Sequence, residues 1–144
     1  MLYAEKALIA NVGQVTPMHF HWSKTEDIIN RGGGRLAIEL YNAAESGALM
    51  TGDVTFLSED MEHTLPAGDI FRLDPGASIT LPPRLCHSFW VEGEPVFAGG
   101  VSTVNDDERD NLFLESVGRF PFIDEDEPSK YLLVSDYEGL VRTL

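Results

Sequence analysis

His19 and His21 stand two residues apart in the run Met18-His19-Phe20-His21-Trp22. On an extended strand, side chains at i and i+2 leave the same face. Two imidazoles so placed can chelate one ion. Glu26 follows five residues after His21, at the strand end, where the chain can curl back and a carboxylate would complete a facial set. His87 is distant in sequence but comes directly after the turn-like Pro82-Pro83-Arg84-Leu85-Cys86, and can enter from another strand. Such mixed nitrogen and oxygen ligation suits Mn, Fe, Co, Ni or Zn better than Ca or Mg. A six-coordinate ion held by four side chains keeps two positions open, as catalysis needs. An H-x-H pair alone is weak evidence, because strand histidines are often ordinary surface or core residues. His63, the remaining histidine, lies in an acidic segment read as exposed and is not expected to be a ligand.

The elements that must position these groups read as strands and turns. Runs rich in β-branched and aromatic residues at 7–12, 18–22, 35–41, 53–57, 63–65, 70–73, 78–81, 88–91 and 96–104 predict strands. Gly32-Gly33-Gly34, Ser46-Gly47, Pro66-Ala67-Gly68-Asp69, Asp74-Pro75-Gly76 and Glu92-Gly93-Glu94-Pro95 read as turns between them. The glycine triplet lacks the Lys-Ser/Thr and helix context of a phosphate loop, so it is read as a tight turn. Single helical turns are expected near 25–30 and 106–116. A last edge strand is expected at 131–134, after the acidic loop Asp124-Glu125-Asp126-Glu127. Many short strands at this spacing predict an all-β antiparallel sandwich or barrel.

The chain has 144 residues, which argues for a single domain over 1–144, and 43% hydrophobic residues, enough for a real core. Its formal net charge of -14 disfavours nucleic acid, anionic membrane and anionic substrates. A metal ion or a neutral or cationic small molecule is the easier ligand, although plain solubility explains most of the charge. The single cysteine, Cys86, permits no internal disulfide and suits a reducing cytoplasm. No apolar run approaches the roughly 20 residues that span a bilayer, and the first residues do not read as a signal peptide.

The wider spacing adds specificity. From Gly13 to Gly33 the chain reads G-x5-H-x-H-x4-E-x6-G, which is the complete first motif of the cupins. The second motif is partial. Gly68 opens it and Pro82 stands five residues before His87, but its usual glycine is Arg84 and its usual asparagine is Val91. The resemblance implies a double-stranded β-helix, or jelly-roll barrel, and brings His87 to the other three ligands.

A narrower resemblance follows. Thr16-Pro17-Met18-His19-Phe20-His21-Trp22, Lys24, and Glu26 through Gly34 look very like the D-lyxose isomerase family of cupins. So do Leu81-Pro82-Pro83, His87-Ser88-Phe89-Trp90, Val104-Asn105-Asp106-Asp107 and Ile123 through Pro128. The resemblance implies an aldose–ketose isomerase interconverting D-lyxose and D-xylulose, with D-mannose and D-fructose as secondary substrates. It also implies one divalent ion, usually Mn(2+), on His19, His21, Glu26 and His87, and a homodimer acting on a neutral monosaccharide. Family members resembling this sequence usually carry a substantial region before the Tyr-Ala-Glu-Lys segment, which here stands almost at the start.

Isomerisation needs a base to carry a proton between adjacent carbons and a group to help the oxygens exchange protons. Lys24, between His21 and Glu26, is one candidate; its alternative is an exposed loop lysine. Glu39 is a base candidate if it points inward and a surface charge if it points outward. Glu115 and Arg119 are candidate acid–base and sugar-orienting groups if the segment after the barrel folds over its mouth; otherwise they form a surface ion pair. Arg31 is expected to pair with Asp27 or Glu39 and brace the metal loop. Cys86 is expected to face away from the metal, and Trp22, Phe89 and Trp90 to pack the core or line a sugar pocket. Competing readings are an Fe(II)-dependent cupin dioxygenase, a non-catalytic sugar-binding cupin and a purely structural metal site.

Overall fold

In the computed structural model, which describes residues 3–104, 106–115, 126–128 and 130–131, alternating burial organises the chain into antiparallel strands. They run β1 (Tyr3–Ala10), β2 (Val15–His21), β3 (Glu26–Asn42), β4 (Val54–Ser58), β5 (Met61–Leu65), β6 (Ile70–Leu73), β7 (Ser78–Leu81) and β8 (Leu85–Thr103). A single helical turn, α1 (Asp107–Asp110), then leads into β9 (Asn111–Phe113). The sheet order is β5-β4-β7-β3-β8-β2-β9, with β1 added to β8 and β6 to β3. This is the all-β cupin architecture that the first motif implies. Among the described residues, no helix is long and apolar enough to cross a membrane.

Two long strands carry the barrel. β3 and β8 pair from Glu26↔Ser102 to Asn42↔Leu85. In their second pairing block, Leu36↔Val91, Ile38↔Phe89 and Leu40↔His87 put one apolar face inward. Leu36, Ile38, Leu40, Phe89 and Val91 join Ile28, Val54, Phe56, Leu73, Ile79, Leu81, Val96 and Ala98 in the main core. The opposite parity carries Tyr41↔Cys86 and Glu39↔Ser88. There a small second cluster of Phe20, Ala43 and Cys86 packs outside the barrel wall with Met18, Tyr41 and Leu112 against it.

The glycine triplet and Glu92–Pro95 are not turns between strands. Both lie within the two long strands, which cross one another there with register shifts at Asn30/Gly32 and Gly33/Arg35. The barrel turns its corner at these bulges. Gly33 has φ +95, and a Cβ on it would collide with the backbone of Pro95. One on Gly34 would collide with the carbonyls of Glu94 and Glu92. The glycines therefore serve close backbone approach rather than chain reversal. Asn30, fully buried, fastens the corner: its Nδ2 donates to the Gly34 and Leu73 carbonyls at 2.9 and 3.1 Å, and its Oδ1 accepts from the Gly32 amide at 3.1 Å.

Other local expectations are corrected in the same way. The segment 25–30, expected as a helical turn, runs into β3 from Glu26, where burial alternates from Glu26 to Asn30 and the pairing runs to both β7 and β8. In the segment expected as a second helical turn, residues 107–110 make one turn and residues 111–113 form β9, because pairing with β2 takes over from Asn111. His63 is half-buried rather than exposed and stacks on Phe56, with centroids 5.6 Å apart. Arg31 reaches Glu5 at 3.4 Å, while Asp27 accepts a hydrogen bond from Thr80, so Arg31 does not brace the metal loop. The proposed strand at 131–134 lies, beyond residue 131, outside the described residues.

Candidate metal centre

His19 and His21 leave the same face of β2, as their spacing predicts, and both are buried. β8 delivers His87 opposite them: His19 and His87 are direct partners in the β2–β8 ladder. The His19 ring lies 4.3 Å from that of His87 and 5.3 Å from that of His21, centroid to centroid. One ring nitrogen from each of the three histidines falls within 4.8 Å of the others, a spacing that could hold one ion.

Two of the rings are held by their own strands. His19 Nδ1 lies 2.8 Å from the Pro17 carbonyl oxygen, and His87 Nδ1 lies 3.0 Å from that of Leu85. A carbonyl only accepts, so each Nδ1 carries the proton and leaves Nε2 with a free lone pair. Burial holds the His19 imidazole below its ordinary range. Burial, helped by the adjacent His19, pushes His87 down to about 3. Both rings therefore stay neutral, the form that binds a metal. Neither nitrogen of buried His21 has a hydrogen-bond partner. Unpaired buried polar atoms are uncommon in native proteins. An orphan imidazole facing two neutral ones fits a site built for a cation.

Glu26 sits at the edge of this cluster. Its Oε2 accepts a hydrogen bond from Lys24 Nζ at 2.9 Å and lies 3.5 Å from His21 Nε2. Burial alone would raise its carboxyl, but the adjoining His21 and Lys24 outweigh it and hold Glu26 at about 2. The carboxylate is thus charged and within reach of the imidazoles. Lys24 is no exposed loop lysine: it is 3% exposed, and its ammonium lies inside.

The loop carrying Lys24 is fixed by a residue the sequence did not single out. The Asp110 carboxylate accepts from the Ser23 amide at 2.7 Å, the Ser23 hydroxyl at 2.6 Å and the Lys24 amide at 3.2 Å. Its Oδ2 lies 3.9 Å from His21 Nδ1. The Trp22 amide donates to the Asp110 carbonyl at 3.0 Å. One aspartate thereby clamps the chain between His21 and Glu26.

These groups open into a pocket of about 280 Å³. The imidazoles, Lys24 and Glu26 line it together with Lys6 and Leu8 of β1, Ile28, Phe89, and Asn111 and Phe113 of β9. Phe89 thus serves the pocket, whereas Trp22 packs on Phe20, with centroids 4.7 Å apart. Cys86 faces away from the imidazoles as expected, and burial pushes its thiol up to about 12.

Two of the remaining candidates, Glu39 and Glu115, do not line the pocket. Glu39 points to the outer side of the barrel wall and accepts a hydrogen bond from the Tyr41 hydroxyl at 3.0 Å, which pushes that phenol up. The alternation Leu36, Ile38, Leu40 carries the signal: residues of the other parity face out. Glu115 is exposed, two residues beyond Phe113. Arg119 lies outside the described residues.

Residues 1–137 match the family model described as D-lyxose isomerase. A D-lyxose/D-mannose isomerase of Escherichia coli O157:H7 is 50% identical over 137 residues, covering 94% of this chain and 60% of that protein. A protein of the same description from Serratia proteamaculans is 51% identical over 138 residues, with the same shares of 94% and 60%. The chain therefore spans about 60% of the length of these curated relatives. Among solved structures, an L-ribose isomerase of Cellulomonas parahominis superposes with a TM-score of 0.56 at 20% identity, over 79% of this chain and 58% of that one. At that identity the likeness speaks for the fold. The pattern that begins at His19 and His21 extends through nearly the whole sequence, and the chain belongs to the D-lyxose isomerase family.

Proposed function

We propose that this chain catalyses aldose–ketose isomerisation of D-lyxose to D-xylulose, and of D-mannose to D-fructose, at a single divalent ion held by His19, His21, Glu26 and His87. The observation that carries the reading is the convergence of three buried imidazoles on one pocket, beside a buried lysine–carboxylate pair. The names of the half-identical relatives supply the substrates. The family resemblance further suggests manganese as the ion, a homodimer as the assembly and the cytoplasm as the compartment.

The ion would supply electrophilic stabilisation for negative charge developing on two neighbouring sugar oxygens. The protein supplies the rest. The Nδ1 tethers of His19 and His87 fix the ring planes, so no donor must reorganise on binding. Leu8, Ile28, Phe89 and Phe113 offer apolar walls that exclude water and receive the C–H face of a sugar. Lys24 holds a proton at Nζ on the pocket wall, where it can be exchanged with a substrate oxygen.

Metal-stripped protein should be inactive in a coupled isomerase assay and should recover turnover of D-lyxose and D-mannose with Mn(II), more than of D-xylose. No turnover of any of these sugars with metal bound would sink the isomerase reading. Oxygen consumption that depends on Fe(II) would replace it with the dioxygenase. Lys24→Met should lower kcat by about 100-fold or more, the usual scale for a group that moves protons, with metal content unchanged by mass spectrometry. An unchanged kcat would reduce Lys24 to a structural partner of Glu26.

A further inference from the structure

Asn111 is not among the residues that the metal motif or its neighbours identify. It stands on β9 directly opposite His21 in the β2–β9 ladder, and it lines the same pocket as the imidazoles. Its side-chain Oδ1 is buried and has no hydrogen-bond partner. Its backbone is held on both sides. Before it, Asp110 grips the loop of Ser23 and Lys24, and beyond it the Leu114 amide donates to the Met18 carbonyl at 3.1 Å.

A buried amide oxygen without a donor is rare in native proteins and asks for a partner. None of the donors around the pocket bonds to it. Lys24 Nζ donates to Glu26, and the Nδ1 groups of His19 and His87 donate to backbone carbonyls. What enters the pocket can supply the missing donor. A carboxamide both donates and accepts, as a hydroxyl does, so either end of Asn111 can meet a sugar hydroxyl. A fixed amide of this kind discriminates by leaving its own buried group unpaired when the hydroxyl is absent or misplaced.

We propose that Asn111 is a specificity-determining residue of this pocket, which accepts a hydrogen bond from one hydroxyl of the aldose through Oδ1. The proposal rests on the isomerase reading for its ligand class, a neutral polyhydroxylated sugar, and adds the residue that reads the hydroxyl. It assigns Asn111 to the sugar and not to the ion.

The test uses the full chain with Mn(II), comparing wild type, Asn111→Ala and Asn111→Asp, which keeps an acceptor. Substrates are D-lyxose and its 3-, 4- and 5-deoxy analogues; Mn(II) affinity is measured by calorimetry. Asn111→Ala should lower kcat/KM for D-lyxose by about tenfold or more, mainly through KM, with Mn(II) affinity within about twofold of wild type. One deoxy analogue should be used equally well by wild type and Asn111→Ala, because the contact is already gone. Asn111→Asp should retain more of the preference for the parent sugar than Asn111→Ala does. Kinetics within about twofold of wild type, or an equal loss on every analogue, would overturn the proposal. If wild type turns over no aldose, the isomerase reading falls first. Asn111 is then judged by calorimetric binding of D-lyxose: weaker binding by Asn111→Ala sustains the assignment. Equal affinity in wild type and variant, or none in either, overturns it.

Discussion

His87→Ala should abolish metal-dependent isomerisation, with a loss in kcat/KM on the order of 1000-fold or more. A group that merely orients a ligand typically accounts for about 10–100-fold, and His87 is proposed as a ligand itself. It is 1% exposed, faces His19 at 4.3 Å and presents Nε2 because Nδ1 is tied to Leu85. No other imidazole lies on β8 to take its place. The measurement is Mn(II) stoichiometry by mass spectrometry, alongside turnover of D-lyxose and far-UV circular dichroism of the metal-free protein. Expected are a preserved β spectrum, metal reduced well below one equivalent and turnover at background. Full metal content with full activity would remove His87 from the site.

The second large effect concerns the barrel corner. Gly33→Ala should destabilise the fold by about 3 kcal/mol. Backbone strain for a side chain at positive φ contributes roughly 1–2 kcal/mol, and forcing a methyl against fixed backbone adds about 1–3 kcal/mol. At Gly33 the obstacle is the backbone of Pro95, which belongs to the partner strand and cannot swing aside as a side chain could. Gly52→Ala is the control: a Cβ there meets nothing within 4 Å, and its φ is not in the positive region. That change should be neutral or slightly stabilising, by about 0.4–1 kcal/mol at most. Thermal unfolding should place Gly33→Ala about 10 °C below wild type and Gly52→Ala near it. Equal melting temperatures would show that the corner yields more readily than its packing implies.

These two sites differ in how legible they were. His19 and His21 could be read directly, because strand parity is a local rule. Glu26 needed the longer motif, and His87 leaned on position, since its place opposite His19 is a long-range pairing that no short window contains. The glycine triplet misled for a physical reason. Chain reversal and close approach of two strands demand the same missing Cβ, and only the partner strand tells them apart. Glu39 could have been settled from sequence, because Leu36, Ile38 and Leu40 assign its parity to the outer side. Asp110 and Asn111 could not. A segment read as helical becomes one turn and a strand only when β2 is there to pair with it. Lys6 and Leu8 reach the pocket for a similar reason: β1 becomes a wall only through its register on β8.

The facing rings of His19 and His87 sit on strands that the chain visits far apart, with most of the barrel between them. Once a dication is held by both, β2 and β8 cannot separate until it leaves. An ion that binds only the native form adds about 2.7 kcal/mol at a free concentration one hundred times its dissociation constant. Opening, and with it proteolysis, then becomes limited by metal release. The lifetime of this protein in a cell would follow the supply of free metal, so that starvation for the ion would clear the protein itself.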